Sequence, residues 1–262
     1  MIPAELRRYL RQPNATDDKY SRGVVGFVTG SEQYPGAAIL GVTAAMRTGI
    51  GMVRYLGPRS VGELLLQVRP EAVLSDGRAQ AWVFGSGVPE EDSQVSVMQS
   101  HFEAAELAVV DAGAIASLDL RSGKARTVIT PHAGELAKLL GTSREEIENA
   151  PLEHAVKAAE EFQCTVLLKG NTTQIASPNG ESISISGLSP ALSTAGTGDV
   201  LAGILGALLA ANFEAAGKNS FVEILELGVR LHSAAAEFAA KSGPIAALDV
   251  AEAIRHVIAE TI

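Results

Sequence analysis

Short apolar, β-rich runs recur along this chain at 24–29 (VVGFVT), 52–56 (MVRYL), 81–84 (AWVF), 107–110 (LAVV), 127–129 (TVI) and 165–168 (TVLL). Runs this short suit central strands buried on both faces rather than helices. Stretches with helical periodicity lie between them, at 37–47, about 90–104, 133–140 and 151–162. The unit from Val24 to Leu56 shows the logic. A strand closes on Gly30-Ser31, Pro35-Gly36 turns the chain, a helix runs to Arg47, and Gly49-Ile50-Gly51 breaks before the next strand. Parallel neighbours need such a crossover, so the pattern predicts an α/β fold with a mostly parallel sheet. Residues 173–177 and 181–186, split by Pro178-Asn179-Gly180, read as a hairpin. Helices are expected at 2–12, 199–211, 219–241 and 249–261. With no internal repeat or linker, residues 1–262 read as a single domain.

Composition narrows the function. Aromatics are only 5% against 47% apolar residues, so the core must come from Ala, Val, Ile and Leu. A net charge of −9 disfavours nucleic acid and anionic membrane as partners. The one cysteine, Cys164, excludes an internal disulfide and a cysteine-cluster metal site. The longest apolar run, Val200 to Ala211, is too short to span a bilayer, and the start of the chain does not read as a signal peptide. A cytoplasmic protein is expected.

In open parallel sheets, ligands sit beyond the carboxyl ends of the strands. The unusual residues collect there: Gly30-Ser31, Gly85-Ser86-Gly87, Asp111, Thr130-Pro131-His132 and Lys169-Gly170. The strongest signal comes later, in Ser193–Ala211, where Gly196-Thr197-Gly198-Asp199 opens an Ala/Leu-rich helix. Two glycines and unpartnered first-turn amides make a site for phosphate or another oxyanion. A carboxylate there, Asp199, either complements the helix dipole as an ordinary first-turn acid or acts as the base for a hydroxyl attacking phosphorus. Asp111 could hold a metal-bound water or a ribose hydroxyl, or cap the segment after it. His132 could contact substrate or cap the next helix, with Glu135 as its capping-box partner. Lys169, followed by Gly170-Asn171-Thr172-Thr173, could reach a phosphate or extend to solvent. His101, His154, His232 and His256 show no metal-ligand spacing and read as surface or core residues. Neither a P-loop nor a dinucleotide fingerprint is present.

Taken in order, GSEQYPGAAILGVTAAMRTGIGMV, VVDAGAI, TPHAGELAKLLG, LLKGNTT and STAGTGDVLAG resemble the ADP/ATP-dependent NAD(P)H-hydrate dehydratases of the ribokinase-like superfamily. The resemblance covers about residues 20 to 258. It implies a three-layer α/β/α fold and repair of hydrated nicotinamide cofactors. Water would be removed from (6S)-NADHX or (6S)-NADPHX with ADP (or ATP) as co-substrate and Mg²⁺ present, giving AMP and phosphate. It places Gly36, Ala37, Gly87, His132 and Asp199 around the hydrated dinucleotide. Lys169, Gly170, Asn171, Thr172, Thr173 and Gly198 would line the adenine nucleotide, Gly196, Thr197 and Gly198 the anion hole, and Asp199 would be the catalytic base. Homotetramers and a separate epimerase as pathway partner are implied as well. Two departures stand out: Gly113 replaces the second acid of the family's DADAL, and Leu188-Ser189-Pro190 replaces GNP. The alternative is a ribokinase-like kinase of a vitamin precursor. Thiazole and hydroxymethylpyrimidine kinases carry Cys where Asp199 stands, and the PHAGE and GSEQYPGAA stretches favour the dehydratase.

Overall fold

The computed structural model describes residues 2–123 and 126–262. After a 3-10 turn at Ala4–Tyr9 come β1 (Val24–Val28), α1 (Pro35–Arg47), β2 (Met52–Tyr55), α2 (Arg59–Val68), β3 (Ala81–Phe84), α3 (Val95–Ala104), β4 (Leu107–Val110) and the short α4 (Ala114–Ser117). Then follow β5 (Arg126–Ile129), α5 (Ala133–Leu140), α6 (Arg144–Asn149), α7 (Pro151–Phe162) and β6 (Thr165–Leu168). The hairpin β7 (Thr173–Ala176) and β8 (Ser182–Ile185) precedes α8 (Thr197–Ala211), α9 (Phe213–Ala216), α10 (Phe221–Ala240) and α11 (Ala247–Thr261).

The strands form one eight-stranded sheet in the order β2-β1-β3-β4-β5-β6-β7-β8. β1 to β6 are parallel, and the hairpin adds two antiparallel strands at one edge. Successive strand residues feed two separate apolar clusters. Val25, Phe27, Val83, Val109 and Leu167 join one, with α1, α8, α10 and α11. Val28, Phe84, Ala108, Val110 and Val166 join the other, with α3, α5 and α7. Strand side chains alternate faces, so both faces are covered and the three layers follow from the sequence pattern.

Helix α8 is apolar on nearly every side and buried from Val200 to Ala210, as an all-round hydrophobic helix must be. Glycines let it sit close to its neighbours: a Cβ on Gly203 would lie 2.1 Å from the Gly41 carbonyl oxygen of α1.

The structure corrects several expected bounds. The helix expected over 2–12 is only the 3-10 turn Ala4–Tyr9, held by Pro3 before it and the non-helical Leu10 after it. The helix expected from residue 90 begins at Val95, because Asp92 turns the chain by accepting the Gln94 N–H at 2.9 Å. Helix α2 was not anticipated: only Val61, Gly62 and Leu65 of its face are buried, and its run of three leucines hides the period. Helix α6 is likewise outside the expected helices, although Ser143 and Glu146 form a capping box at its start. Among the described residues, no helix is long and apolar enough to cross a membrane.

Candidate active site

The carboxyl ends of β1, β3, β4, β5 and β6 point to one edge of the sheet, and the chain leaves each through residues with special backbone or polar side chains. β4 ends at Asp111, which is almost wholly buried. Ser86 Oγ donates to Asp111 Oδ2 at 2.8 Å, Thr130 Oγ1 to Oδ1 at 2.7 Å, and Lys169 Nζ to Oδ1 at 2.9 Å. The ends of β3, β5 and β6 thus hold the one carboxylate at the end of β4. The capping alternative for Asp111 is set aside, since α4 starts from Gly113 with no side-chain cap. Burial favours the neutral acid, but the Lys169 ammonium and the three donors outweigh it and hold Asp111 below the ordinary carboxylate range. Lys169 is held above its usual value by Asp111 and Glu135, against its own burial. It therefore stays a cation, and it does not extend into solvent.

Gly113 is packed tightly against the loop after β3. A Cβ on Gly113 would fall 2.0 Å from the Val88 carbonyl oxygen, so this backbone admits no side chain there. Ala112 between them takes a left-handed φ of 48°, a conformation that costs an L-residue about 1 kcal/mol or more.

His132 follows β5 and is the N-cap of α5. Its Nδ1 accepts the N–H groups of Gly134 at 3.0 Å and Glu135 at 3.1 Å, while Glu135 Oε2 accepts the His132 N–H at 2.8 Å. The capping reading of His132 holds. An acceptor Nδ1 puts the proton of a neutral ring on Nε2, which belongs to a largely exposed side chain. The cap thus leaves a donor free for a ligand. A β-bridge joins His132 to Lys169, so the two stand side by side.

Gly196 begins α8 with φ 89°, and a Cβ there would meet Leu40 Cδ1 at 2.6 Å. Glycine is needed for both reasons. No side chain caps this helix. The Val200 N–H bonds back to the Gly196 C=O at 3.2 Å, and the amides of Thr197, Gly198 and Asp199 before it stay free for an anion. A Cβ on Gly198 would sit 3.4 Å from Lys169 Nζ, so the ammonium stands beside the same turn. Thr197 Oγ1 donates to the carbonyls of Leu192 at 2.9 Å and Thr194 at 3.0 Å, fixing the loop that leads in.

Asp199 accepts no hydrogen bond from a side chain or main-chain donor among the described residues. Burial and the negative charge of Asp111 push its pKa up to about 7, against the pull of Lys169. The carboxylate is thus unpaired, half-buried and balanced near neutrality, as a general base should be.

Two cavities meet along Lys169-Gly170-Asn171. One, of about 600 Å³, adds His132 and Thr172; the other, of about 390 Å³, adds Thr173, Thr197 and Gly198. Gly36, Ala37 and Gly87 line neither. They gather at the start of α1, where Gly87 (φ 67°) is packed so that a Cβ would lie 2.4 Å from Ala37 Cβ, while Gly36 faces open space. Asp199 and Gly196 line neither cavity; their turn packs against α1, where a Cβ on Gly41 would lie 3.3 Å from the Asp199 carbonyl oxygen. His232 was unremarkable in the sequence, yet α10 buries it against the smaller cavity beside Thr197. Its spacing of three from Val229, on the buried face of α10, is the signal that could have found it.

Residues 25–256 match the family model described as NAD(P)H-hydrate dehydratase. The bifunctional NAD(P)H-hydrate repair enzyme Nnr of Corynebacterium glutamicum is 39% identical over 221 residues, 77% of this chain but 38% of that protein. The chain thus spans well under half the length of that relative. The ADP-dependent (S)-NAD(P)H-hydrate dehydratase of Xanthomonas campestris is 32% identical over 92% of this chain and 88% of its own. Among solved structures, the ADP/ATP-dependent NAD(P)H-hydrate dehydratase of Bacillus subtilis, co-crystallised with ATP and Mg²⁺, superposes with a TM-score of 0.87. It is 26% identical and covers 98% of this chain and 96% of its own. A ribokinase-like superfamily protein of Enterococcus faecalis, 22% identical with a TM-score of 0.82 over 98% and 93%, shares the fold. The architecture is ribokinase-like.

Proposed function

The chain belongs to the NAD(P)H-hydrate dehydratase family, and from that premise we propose that it converts (6S)-NADHX and (6S)-NADPHX to NADH and NADPH at the expense of ADP. One observation carries the reading: the Asp199 carboxylate, with its pKa near 7, stands unpaired at the head of a helix whose first amides are uncapped. Asp199 takes the proton of the ring hydroxyl, and the freed oxygen attacks the terminal phosphorus of ADP. The bond from that phosphorus to the bridging oxygen breaks, and AMP leaves. The amides of Thr197, Gly198 and Asp199, with Lys169, hold the charge on the transferring group. The ring nitrogen lone pair then expels phosphate, and loss of a proton from the neighbouring ring carbon restores the dihydronicotinamide.

Residues 169–173 and Gly198 take the nucleotide in this scheme. Gly36, Ala37, Gly87 and His132 take the dinucleotide, with the His132 Nε2–H as a donor. The described residues hold no group of three or more metal-ligating side chains. That suits Mg²⁺, which keeps its waters and arrives on substrate phosphates with one or two carboxylates. Glu135 is the carboxylate that would hold it, since it faces Lys169 and keeps Oε1 outside hydrogen-bonding distance of His132, at 3.7 Å from Nε2. The ion supplies charge neutralisation on the phosphoryl oxygens.

The test uses acid-hydrated NADH and ADP. Near-ultraviolet absorbance of the reduced nicotinamide should return only when nucleotide is present, with AMP and phosphate formed in equal amounts. A stable phosphorylated product with no return of absorbance would establish the kinase alternative instead. We also read the protein as a cytoplasmic homo-oligomer, a tetramer, that works together with an epimerase. The exposed Leu64, Leu66, Val68 and Leu74 on and beside α2 support self-association. Light scattering that returns a monomer mass would refute it.

A further inference from the structure

The smaller cavity has a mixed lining. Lys169 and the Thr197-Gly198 turn offer it positive charge and free amides. Leu188, Leu192, Leu201 and Val229 give it apolar walls, and His232 stands among them beside Thr197. His232 is 6% exposed, and its Nε2 is a buried polar atom without a hydrogen-bond partner among the described residues. Burial, the largest effect, lowers its pKa to about 3, with the Lys169 charge acting the same way and the main chain of Thr197 beside the ring acting against both. The imidazole is therefore neutral at working pH and offers hydrogen bonding rather than charge.

Buried polar atoms are almost always paired in folded proteins, and an orphan calls for a partner that arrives later. The ring is also firmly placed. The adjacent Ser233 Oγ accepts the Ser189 N–H at 2.8 Å, which ties the 188–192 wall of the cavity to the same turn of α10. Phosphate has its own donors in Lys169 and the Thr197, Gly198 and Asp199 amides, and a neutral ring adds little for an anion. Apolar walls with one unpaired ring nitrogen suit the nucleoside portion of a nucleotide.

We propose that His232 is a nucleotide-recognition residue, whose Nε2 takes up a hydrogen bond with the nucleoside of ADP, directly or through one water. The proposal rests on the reading of the 196–199 turn as the phosphate site, and it adds a residue on α10 that the sequence motifs do not contain.

Calorimetric titration of wild type, His232→Leu and His232→Asn with ADP and with inorganic phosphate tests it. His232→Leu should weaken ADP about tenfold, the scale of one lost hydrogen bond, and leave phosphate binding unchanged. His232→Asn, which retains a polar group, should recover part of the loss. Comparing IDP and 2′-deoxy-ADP separates base from ribose: the penalty of His232→Leu disappears with the analogue that lacks the partner group. Equal loss for ADP and phosphate, or no loss for ADP, overturns the assignment. Should His232→Leu fail to fold, the ring ¹⁵N resonances of wild type decide. They should shift with ADP and not with phosphate, and an ADP-bound protein with unshifted resonances overturns the proposal. A wild type that binds no ADP at all removes the nucleotide reading itself, whereas normal wild-type binding with an unaffected variant removes only the role of His232.

Discussion

Lys169 Nζ donates to Asp111 Oδ1 at 2.9 Å, not to Asp199, although both carboxylates act on its charge. Asp111 holds the ammonium with the help of Ser86 and Thr130, and Asp199 is left without a donor. The pairing bears on the chemistry proposed for the turn. An Asp199 bonded to Lys169 would be a weak base, locked as a carboxylate far below neutrality. Unpaired, it stands near pKa 7 and can take a proton that it readily gives back.

The first prediction concerns turnover. Dehydration should fall on the acid side with an apparent pKa of about 7, as Asp199 becomes protonated. Asp199→Asn should lower kcat by about a hundredfold or more while ADP affinity, measured by calorimetry, stays within a few-fold. Near-normal turnover by that variant contradicts the base role.

The same residue should cost stability. A folded pKa of about 7 against the ordinary 3.8 means that the native state binds the proton more tightly than the unfolded chain. Stability from this group is complete below the unfolded value and is lost as pH rises through about 7. Asp199→Asn removes the buried charge, so it should be more stable than wild type at pH 8, by about 1–2 kcal/mol after allowing for partial exposure. The gap should close toward pH 4. Chemical denaturation at the two pH values reads this directly, and a variant less stable at pH 8 contradicts it.

Asp111→Asn should behave differently. It leaves the Lys169 ammonium buried without its carboxylate, a change that typically costs about 3–5 kcal/mol. It also removes the negative charge that raises Asp199 and frees the cation that lowers it. The acid limb of the pH–rate profile should therefore move to lower pH, and kcat should drop because the base is weaker. A destabilised variant with an unmoved acid limb would show that Asp111 serves the fold alone.

Much of this arrangement was legible in the sequence because each part is local. Runs such as LAVV and TVLL fix strands by length and content, and they match β4 and β6 residue for residue. Gly196 and the uncapped start of α8 follow from a four-residue motif. The partnership of Asp111 with Lys169 was not readable, since 58 positions separate them and only the order of β4, β5 and β6 brings them together. His232 was hidden for a similar reason: a histidine on an apolar helix face looks like core, and its unpaired nitrogen exists only in three dimensions. The absent acid at Gly113 reads in the sequence as a change in chemistry alone, whereas the structure also packs the Val88 carbonyl against that position.

The last prediction separates a glycine needed for packing from one that faces the site. A Cβ on Gly203 would lie 2.1 Å from the carbonyl oxygen of Gly41 and within 2.9 Å of its carbonyl carbon and Cα. All three are backbone atoms, so no side chain can swing aside and α1 must move away from α8. Overpacking of this kind costs about 1–3 kcal/mol or more, against a gain of up to about 1 kcal/mol from replacing a helical glycine. Gly203→Ala should therefore lower Tm. It should also reduce kcat, because separating α1 from α8 disturbs the Gly36-Ala37 end and the 196–199 turn together. Gly36→Ala is the counterpart: a Cβ there meets nothing within 4 Å, so Tm should hold or rise slightly. If Gly36 faces the hydrated dinucleotide, that variant should raise KM for NADHX while KM for ADP stays the same. Thermal melts and initial rates with each substrate varied in turn check both variants, and a Gly203→Ala protein with unchanged Tm would refute the packing argument.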